Sequence, residues 1–152
     1  VGFQTNLTYP EQKRVFSLIP ALKNAEFVKY GVMHKNTYLN APRVLNTLYQ
    51  LKNHKNLFIA GQLSGVEGYV ESTASGLNVA LNIYQILQGK EPVILSNKTA
   101  IGSLISYISS ANEDNFQPMN ANWGIMSCGS KNARELAIKN ALQEVEQYEK
   151  NL

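Results

Sequence analysis

Residues 57–72 (LFIAGQLSGVEGYVES) carry the strongest chemical pattern in this chain. Four apolar residues run directly into glycines at 61, 65 and 68, and a long helical pattern follows. That order predicts a buried strand at 57–60, a tight turn, and a helix whose first turn lies close to something. A turn without side chains lets backbone N–H groups approach a ligand, and a helix N-terminus favours negative charge. A phosphate, a flavin edge or a carboxylate would each suit such a turn. Close strand–helix packing with no ligand explains the same glycines.

Other reactive constellations are missing from the sequence. It has two histidines and one cysteine, Cys128, and contains no H-E-x-x-H, no Walker loop and no cysteine pair. A structural zinc site and an internal disulfide framework are therefore excluded, and a single thiol fits a reducing compartment. Cys128 has no obvious base beside it and reads as a free thiol without a role. The G-x-G-x-x-G dinucleotide fingerprint is also absent.

Helical and extended segments must position the turn. The helix from about 69 to 87 is the best supported, because Val70, Ala74, Leu77, Ala80, Leu81, Tyr84 and Leu87 follow three- and four-residue spacing. Gly76 lies inside it, and Gly89 suits its C-terminal cap. Upstream, residues 1–7 read as extended, Tyr9 and Pro10 open a helix, and Pro20 ends it or starts a tight continuation. Residues 26–33 are β-rich, 34–42 read as a polar connection, and 48–51 as a short extended piece. Downstream, Ile101, Leu104, Ile105 and Ile108 share one face of a short helix. Residues 116–124 form an amide-rich loop. The tail 131–150 is an amphipathic helix with Leu136, Ala137, Ala141, Val145 and Tyr148 in its stripe.

At 152 residues and 44% apolar content the chain can bury a real core. No apolar run approaches the roughly 20 residues that span a bilayer. The net charge of +3 permits nucleic-acid binding without arguing for it. Opening on Val1 with an extended pattern, the chain reads as part of a longer polypeptide entered midway.

Three blocks occur in order: residues 30–37 (YGVMHKNT), 58–72 (FIAGQLSGVEGYVES) and 116–122 (FQPMNAN). Together they closely resemble the C-terminal part of the bacterial folate- and FAD-dependent tRNA (uracil-5-)-methyltransferases, the TrmFO family. Residues 1–5 (VGFQT) and 99–103 (TAIGS) fit the same family. The resemblance covers residues 1–126, and Cys128 falls in none of its blocks.

The resemblance implies a cytoplasmic enzyme that forms 5-methyluridine (ribothymidine) in the tRNA T-loop. Methylenetetrahydrofolate would supply the one-carbon unit, reduced FAD would carry it, and NAD(P)H would be the reductant. The implied fold is α/β: the C-terminal part of an FAD-binding Rossmann-type domain, an incomplete sheet with flanking helices. Residues 1–126 would belong to that domain, with 1–25 returning from an insertion domain, and 127–152 would be a C-terminal amphipathic helix. The family's reactive cysteines and glycine fingerprint would lie upstream, so no catalytic residue is expected here and the chain alone should be inactive. Its partners would be tRNA, folate and the missing N-terminal part, with no membrane. An isolated copy, left with open sheet edges, could self-associate as a homo-oligomer.

By the same resemblance, Gly61, Gln62, Gly65, Val66, Glu67, Gly68 and Tyr69 match the late flavin motif. Backbone N–H groups at 66–69 would face the flavin's pyrimidine edge or the ribityl chain, and Gln62 could bond a ribityl hydroxyl. Glu67 reads either as an N-terminal capping carboxylate or as a folate contact. His34 is a candidate to pack over the pterin, with Asn36 beside it, although an ordinary loop histidine explains it equally; His54 reads as solvated. Lys35, Arg43, Lys52 and Lys55 suit either phosphate contact or plain solvation. Asn120 and Asn122 read as ligand-proximal or loop-ordering, and Trp123 as packing. The nearest alternative is a GidA/MnmG-type flavoprotein that modifies the wobble uridine, against which the 30–37 and 116–122 blocks argue. A non-catalytic RNA-binding or interaction module is a third reading. Mild charge and the lack of an aromatic–basic platform argue against it.

Overall fold

The computed structural model describes residues 2–33, 36–127 and 133–152. The chain divides into two compact units, Val1–Asn36 and Thr37–Leu152.

In the first unit, residues 2–8 lead without regular structure into α1 (Tyr9–Phe16). Pro10 stands in the first turn, where a missing N–H costs nothing, and Lys13 and Arg14 complement the dipole at the other end. A 3-10 turn at Pro20–Leu22 is the tight continuation that Pro20 predicts. One buried amide organises the unit. Gln12 Nε2 donates to the carbonyls of Leu7 and Gly31, both at 2.8 Å, and its Oε1 accepts from the Gly31 N–H at 2.8 Å. The expected β character of 26–33 is not met, since these residues form no strand. Gln12 takes both backbone groups of Gly31 that a ladder would need.

The second unit opens with the short helix α2 (Ala41–Val44) and an antiparallel ribbon, β1 (Gln50–Leu51) and β2 (His54–Phe58). Gln50 stands opposite Phe58 and Leu51 opposite His54, with a register shift between the two pairs. The strand expected at 57–60 thus begins earlier and is not buried: only Phe58 of β2 is even half-buried. The ribbon has no third strand among the described residues, and Leu51 and Phe58 pack it against the core while the rest of β2 is exposed. The architecture is α/β, a small incomplete antiparallel sheet flanked by helices.

Helix α3 (Tyr69–Leu87) has the expected span, but its burial is reversed. The predicted apolar stripe faces outward, with Val70 78% and Leu87 77% exposed. Ser75, Asn78, Asn82 and Gln85 are buried instead, together with Val79. Each of those polar side chains has work on the inner face: Ser75 Oγ accepts from the Gly61 N–H at 2.8 Å, and Gln85 Oε1 from the Val93 N–H at 2.9 Å. Asn82 Nδ2 donates to Asn78 Oδ1 at 3.2 Å, and Asn78 Nδ2 in turn to the Tyr148 hydroxyl at 3.2 Å.

Helix α4 (Ala100–Ser110) is capped by Thr99, whose hydroxyl accepts from the Gly102 N–H at 2.9 Å. Leu104, Ile105 and Ile108 enter a core with Ala41, Leu45, Val66 and Phe116. Helix α5 (Arg134–Lys150) buries only Ala137 of its predicted stripe. It is held by the Tyr148 bond, by Lys98 Nζ to Glu144 Oε1 at 2.6 Å, and by Arg134 over the Trp123 ring at 5.4 Å. None of the helices among the described residues is long and apolar enough to cross a membrane.

Two predictions follow from this packing. Tyr49 is fully buried, and its hydroxyl finds no partner among the described residues. An unpaired buried hydroxyl costs free energy, so Tyr49→Phe is expected to raise unfolding stability in urea by about 1 kcal/mol. A loss of stability would show that the hydroxyl is bonded. Second, the hydrogen bonds from Lys98 and then Ser96 hold the Glu144 carboxyl below its ordinary value of 4.5. A carboxyl with a lowered folded-state pKa stabilises above its unfolded pKa and loses that contribution as pH falls through the folded one. The emission of Trp123, the only tryptophan, should therefore report loosening of α5 below about pH 4.5, and Glu144→Gln should remove that acid step.

Candidate functional site

The glycine turn is fixed from both sides. Residues Gly61–Ser64 form a single 3-10 turn closed by Gly65, which takes a left-handed φ of 88°. A Cβ on Gly65 would lie 2.5 Å from Cζ of Phe116, so the ring of Phe116 packs directly over the turn. Val66 and Met119 then pair as a parallel bridge. The Met119 N–H donates to the Gly65 carbonyl at 3.0 Å, and the Glu67 N–H to the Met119 carbonyl at 2.9 Å. Two of the three sequence blocks, 58–72 and 116–122, are thereby one structural object.

On the strand side, the Gly61 N–H bonds Ser75 Oγ, while Ser64 Oγ donates to the Gly61 carbonyl at 2.7 Å. Gly68 at φ 94° delivers the chain into α3 as its N-terminal cap, with no side chain capping it. The N–H groups of Tyr69, Val70 and Glu71 find no acceptor among the described residues. This helix start is thus open to a hydrogen-bond acceptor. Tyr69 is almost wholly exposed, and Gln62 is exposed on the turn.

The capping reading of Glu67 is corrected. Its backbone is tied to Met119, and its carboxylate makes no capping bond at the start of α3. Glu71 is the carboxylate in that place. It lies against Gly68, and its Oε1 accepts from the Ala121 N–H at 3.3 Å, linking α3 to the 116–122 block. A carboxylate in the first helical turn was visible in the sequence; that it reaches across to residue 121 was not. Ser75, Phe116 and Met119 were likewise unassigned before the fold joined them to the turn.

Asn122 is loop-ordering: its Oδ1 accepts from the Gly124 N–H at 2.8 Å, and its Nδ2 donates to the Asn120 carbonyl at 3.0 Å. Trp123 packs under Arg134 but keeps 40% of its surface exposed. The ammonium of Lys52 is engaged by the Pro42 carbonyl at 2.6 Å, whereas Arg43 and Lys55 are exposed. His54 is exposed at the start of β2. Asn36 is exposed; His34, Lys35 and Cys128 lie outside the described residues. Among the described residues no group of His, Cys, Asp and Glu could hold a metal ion.

Residues 1–91 match the family model described as glucose inhibited division protein A. A Bacillus licheniformis protein named methylenetetrahydrofolate–tRNA-(uracil-5-)-methyltransferase TrmFO is 53% identical over 97% of this chain. A Natranaerobius thermophilus protein of the same name is 59% identical over 83% of it. The chain belongs to the glucose inhibited division protein A family, in its TrmFO branch. It spans 33% and 29% of the lengths of these two curated relatives. Aquifex aeolicus GidA shares the fold: 97% of this chain superposes on 26% of that one with a TM-score of 0.55, at 22% identity.

The pinned turn of this family member generates a mutational test. Gly65→Ala would combine a left-handed backbone with a Cβ driven into Phe116, at a cost of about 2–4 kcal/mol. Phe116→Leu should recover part of that cost. A double-mutant cycle by urea denaturation is expected to give a coupling of about 0.5–3 kcal/mol. Additive effects would mean that ring and turn do not touch.

Proposed function

We propose that this chain contributes the ribityl–flavin end of an FAD site in a cytoplasmic, methylenetetrahydrofolate-dependent tRNA (uracil-5-)-methyltransferase. The observation that carries the proposal is the pinned glycine turn opening onto three acceptor-less amides at the start of α3. Gly65 and Gly68 supply the positive φ values that carry this backbone to the open start of α3, and the bridge to Met119 holds the turn without help from the ligand. Glu71 already sets a carboxylate at the positive end of α3. A neutral carbonyl or hydroxyl therefore suits the open amides better than a second full negative charge. That matches the pyrimidine carbonyl and ribityl hydroxyls of a flavin rather than its pyrophosphate.

In this reading Gly61, Gln62, Gly65, Val66, Glu67, Gly68 and Tyr69 line the flavin, with the amide of Gln62 available to a ribityl hydroxyl. FAD, when bound, supplies redox chemistry and the carrier for the folate-derived carbon, and NAD(P)H is the reductant. The residues of this chain orient the ring and exclude water; the reactive cysteines belong to the part of the enzyme that this chain does not contain. His34 and Asn36 attend the folate. Residues 1–126 complete a Rossmann-type FAD domain, entered from an insertion domain at 1–25, and 127–152 form an appended helix.

The exposed stripe of α3 supports this reading. Val70, Leu77, Tyr84 and Leu87 present an apolar face of a size that soluble chains cover, and the chain is about a third as long as its relatives. The remaining polypeptide, with tRNA as substrate, supplies that cover; an isolated copy would meet its own kind there and form a homo-oligomer.

The visible spectrum of the purified chain, taken after FAD addition and gel filtration, tests the site directly. A retained flavin band that Gly65→Val abolishes is the expected signature of a self-sufficient half-site. A colourless chain, together with a full-length enzyme whose FAD content is untouched by Gly65→Val, would overturn the assignment. In the full-length enzyme His34→Ala is expected to raise the KM for the folate with FAD still bound, and unchanged folate kinetics would remove His34 from the site.

A further inference from the structure

The first unit concentrates two features that the rest of the chain lacks. Five cations and only two carboxylates, Glu11 and Glu26, lie in residues 1–36, a net +3 that equals the net charge of the whole chain. Residues 37–152 hold nine charges of each sign. The same 36 residues carry a continuous run of stacked rings. Phe3 stacks on Phe16 at 4.2 Å, Phe27 on Tyr30 at 5.7 Å, and Tyr30 on Tyr9 at 5.0 Å.

The run has one wide step. Phe16 and Phe27 are nearly parallel, with 9° between their planes, but their centroids are 6.4 Å apart. A cavity of about 190 Å³ opens there, and its lining includes Phe3, Phe16, Phe27, Glu26 and Lys29. A planar ring entering between two parallel rings needs about 7 Å, twice a van der Waals contact, so a small opening of this step would admit one. Gln12 also lines the cavity, but its amide is used up by Leu7 and Gly31. The exposed carboxylate of Glu26 is left as the acceptor for the edge of an entering ring. Lys13, Lys23 and Lys29 are exposed and have no ion-pair partner among the described residues, whereas Arg14 is held by Glu11 at 2.6 Å.

We infer that the Phe16–Phe27 step is a slot for an unstacked base of single-stranded RNA, with Lys13, Lys23 and Lys29 taking the flanking phosphates. Stacking platforms beside basic side chains are how proteins hold single strands. The sequence hid this platform because its five rings are scattered over 28 positions and the charge is diluted by a neutral remainder. The choice of RNA as the ligand rests on the tRNA reading above. The binding itself needs no flavin, so failure of the FAD site leaves the following test intact.

Fluorescence anisotropy of a labelled single-stranded RNA of about eight nucleotides, titrated with the complete 152-residue chain, reads the slot. Binding is expected to weaken with salt at a log–log slope of about −2, for three lysines at 0.7 each. Phe27→Leu should weaken binding about tenfold at constant slope, and Phe27→Tyr, which keeps the π-face, should restore it. Lys29→Ala should take about 0.7 off the slope. Circular dichroism on both Phe27 variants separates loss of the slot from loss of the fold. The inference is overturned if Leu and Tyr at position 27 bind alike, or if inorganic polyphosphate competes as well as RNA, since either leaves only a basic surface. Displacement of the RNA by an equimolar free pterin would also overturn it, by assigning the slot to the folate.

Discussion

The pairing of Val66 with Met119, with the Phe116 ring laid over Gly65, is the constraint on which the second unit depends. Glycine at 65 is required twice, by a φ of 88° and by a ring in the space of its missing Cβ. Because Val66 and Phe116 also belong to the core with Leu104, Ile105 and Ile108, the turn is an extension of the hydrophobic core rather than a surface loop. A backbone element held this way keeps its shape without a ligand, so little ordering cost remains for binding. Three open amides at the end of such an element are a preorganised acceptor site.

Helix α3 shows the opposite economy. Its inner face is largely polar, with Ser75, Asn78, Asn82 and Gln85 beside Val79 and Ile83, while Val70, Leu77, Tyr84 and Leu87 face outward. Burying polar side chains is tolerable when they are hydrogen-bonded, and all four make at least one bond, with only Asn82 Oδ1 left unpartnered among the described residues. The outward stripe makes sense for a family member that spans about a third of its relatives' length. One face of α3 is committed to holding the turn, and the other carries the exposed apolar stripe.

Much of this was legible in sequence wherever the cause is local. The limits of α3 follow from Gly68, the three-four periodicity and the terminal Gly89. Helix α4 follows from Thr99 and the spacing of Ile101, Leu104, Ile105 and Ile108. The blocks at 58–72 and 116–122 were visible, but their contact was not, because no periodicity reports which side chain fills the space over a glycine about 50 positions away. The same limit explains residues 26–33. Their β-rich composition was real, yet Gln12, 19 residues upstream, took the backbone groups of Gly31. The inward face of α3 was misjudged because periodicity finds the apolar stripe without saying what covers it. Glu71 goes unassigned in the sequence because position in the motif, and not reach across to Ala121, is all that the sequence offers for a carboxylate near the helix start.

Amide hydrogen exchange of the ligand-free chain, followed by NMR, tests the pinned turn most directly. The N–H groups of Glu67 and Met119 should exchange slowly, in step with the core helix α4, while those of Tyr69 and Val70 exchange rapidly at the open start of α3. Fast exchange at Glu67 and Met119 would mean that the two blocks are not joined before the ligand arrives. The preorganised site described here would then not exist.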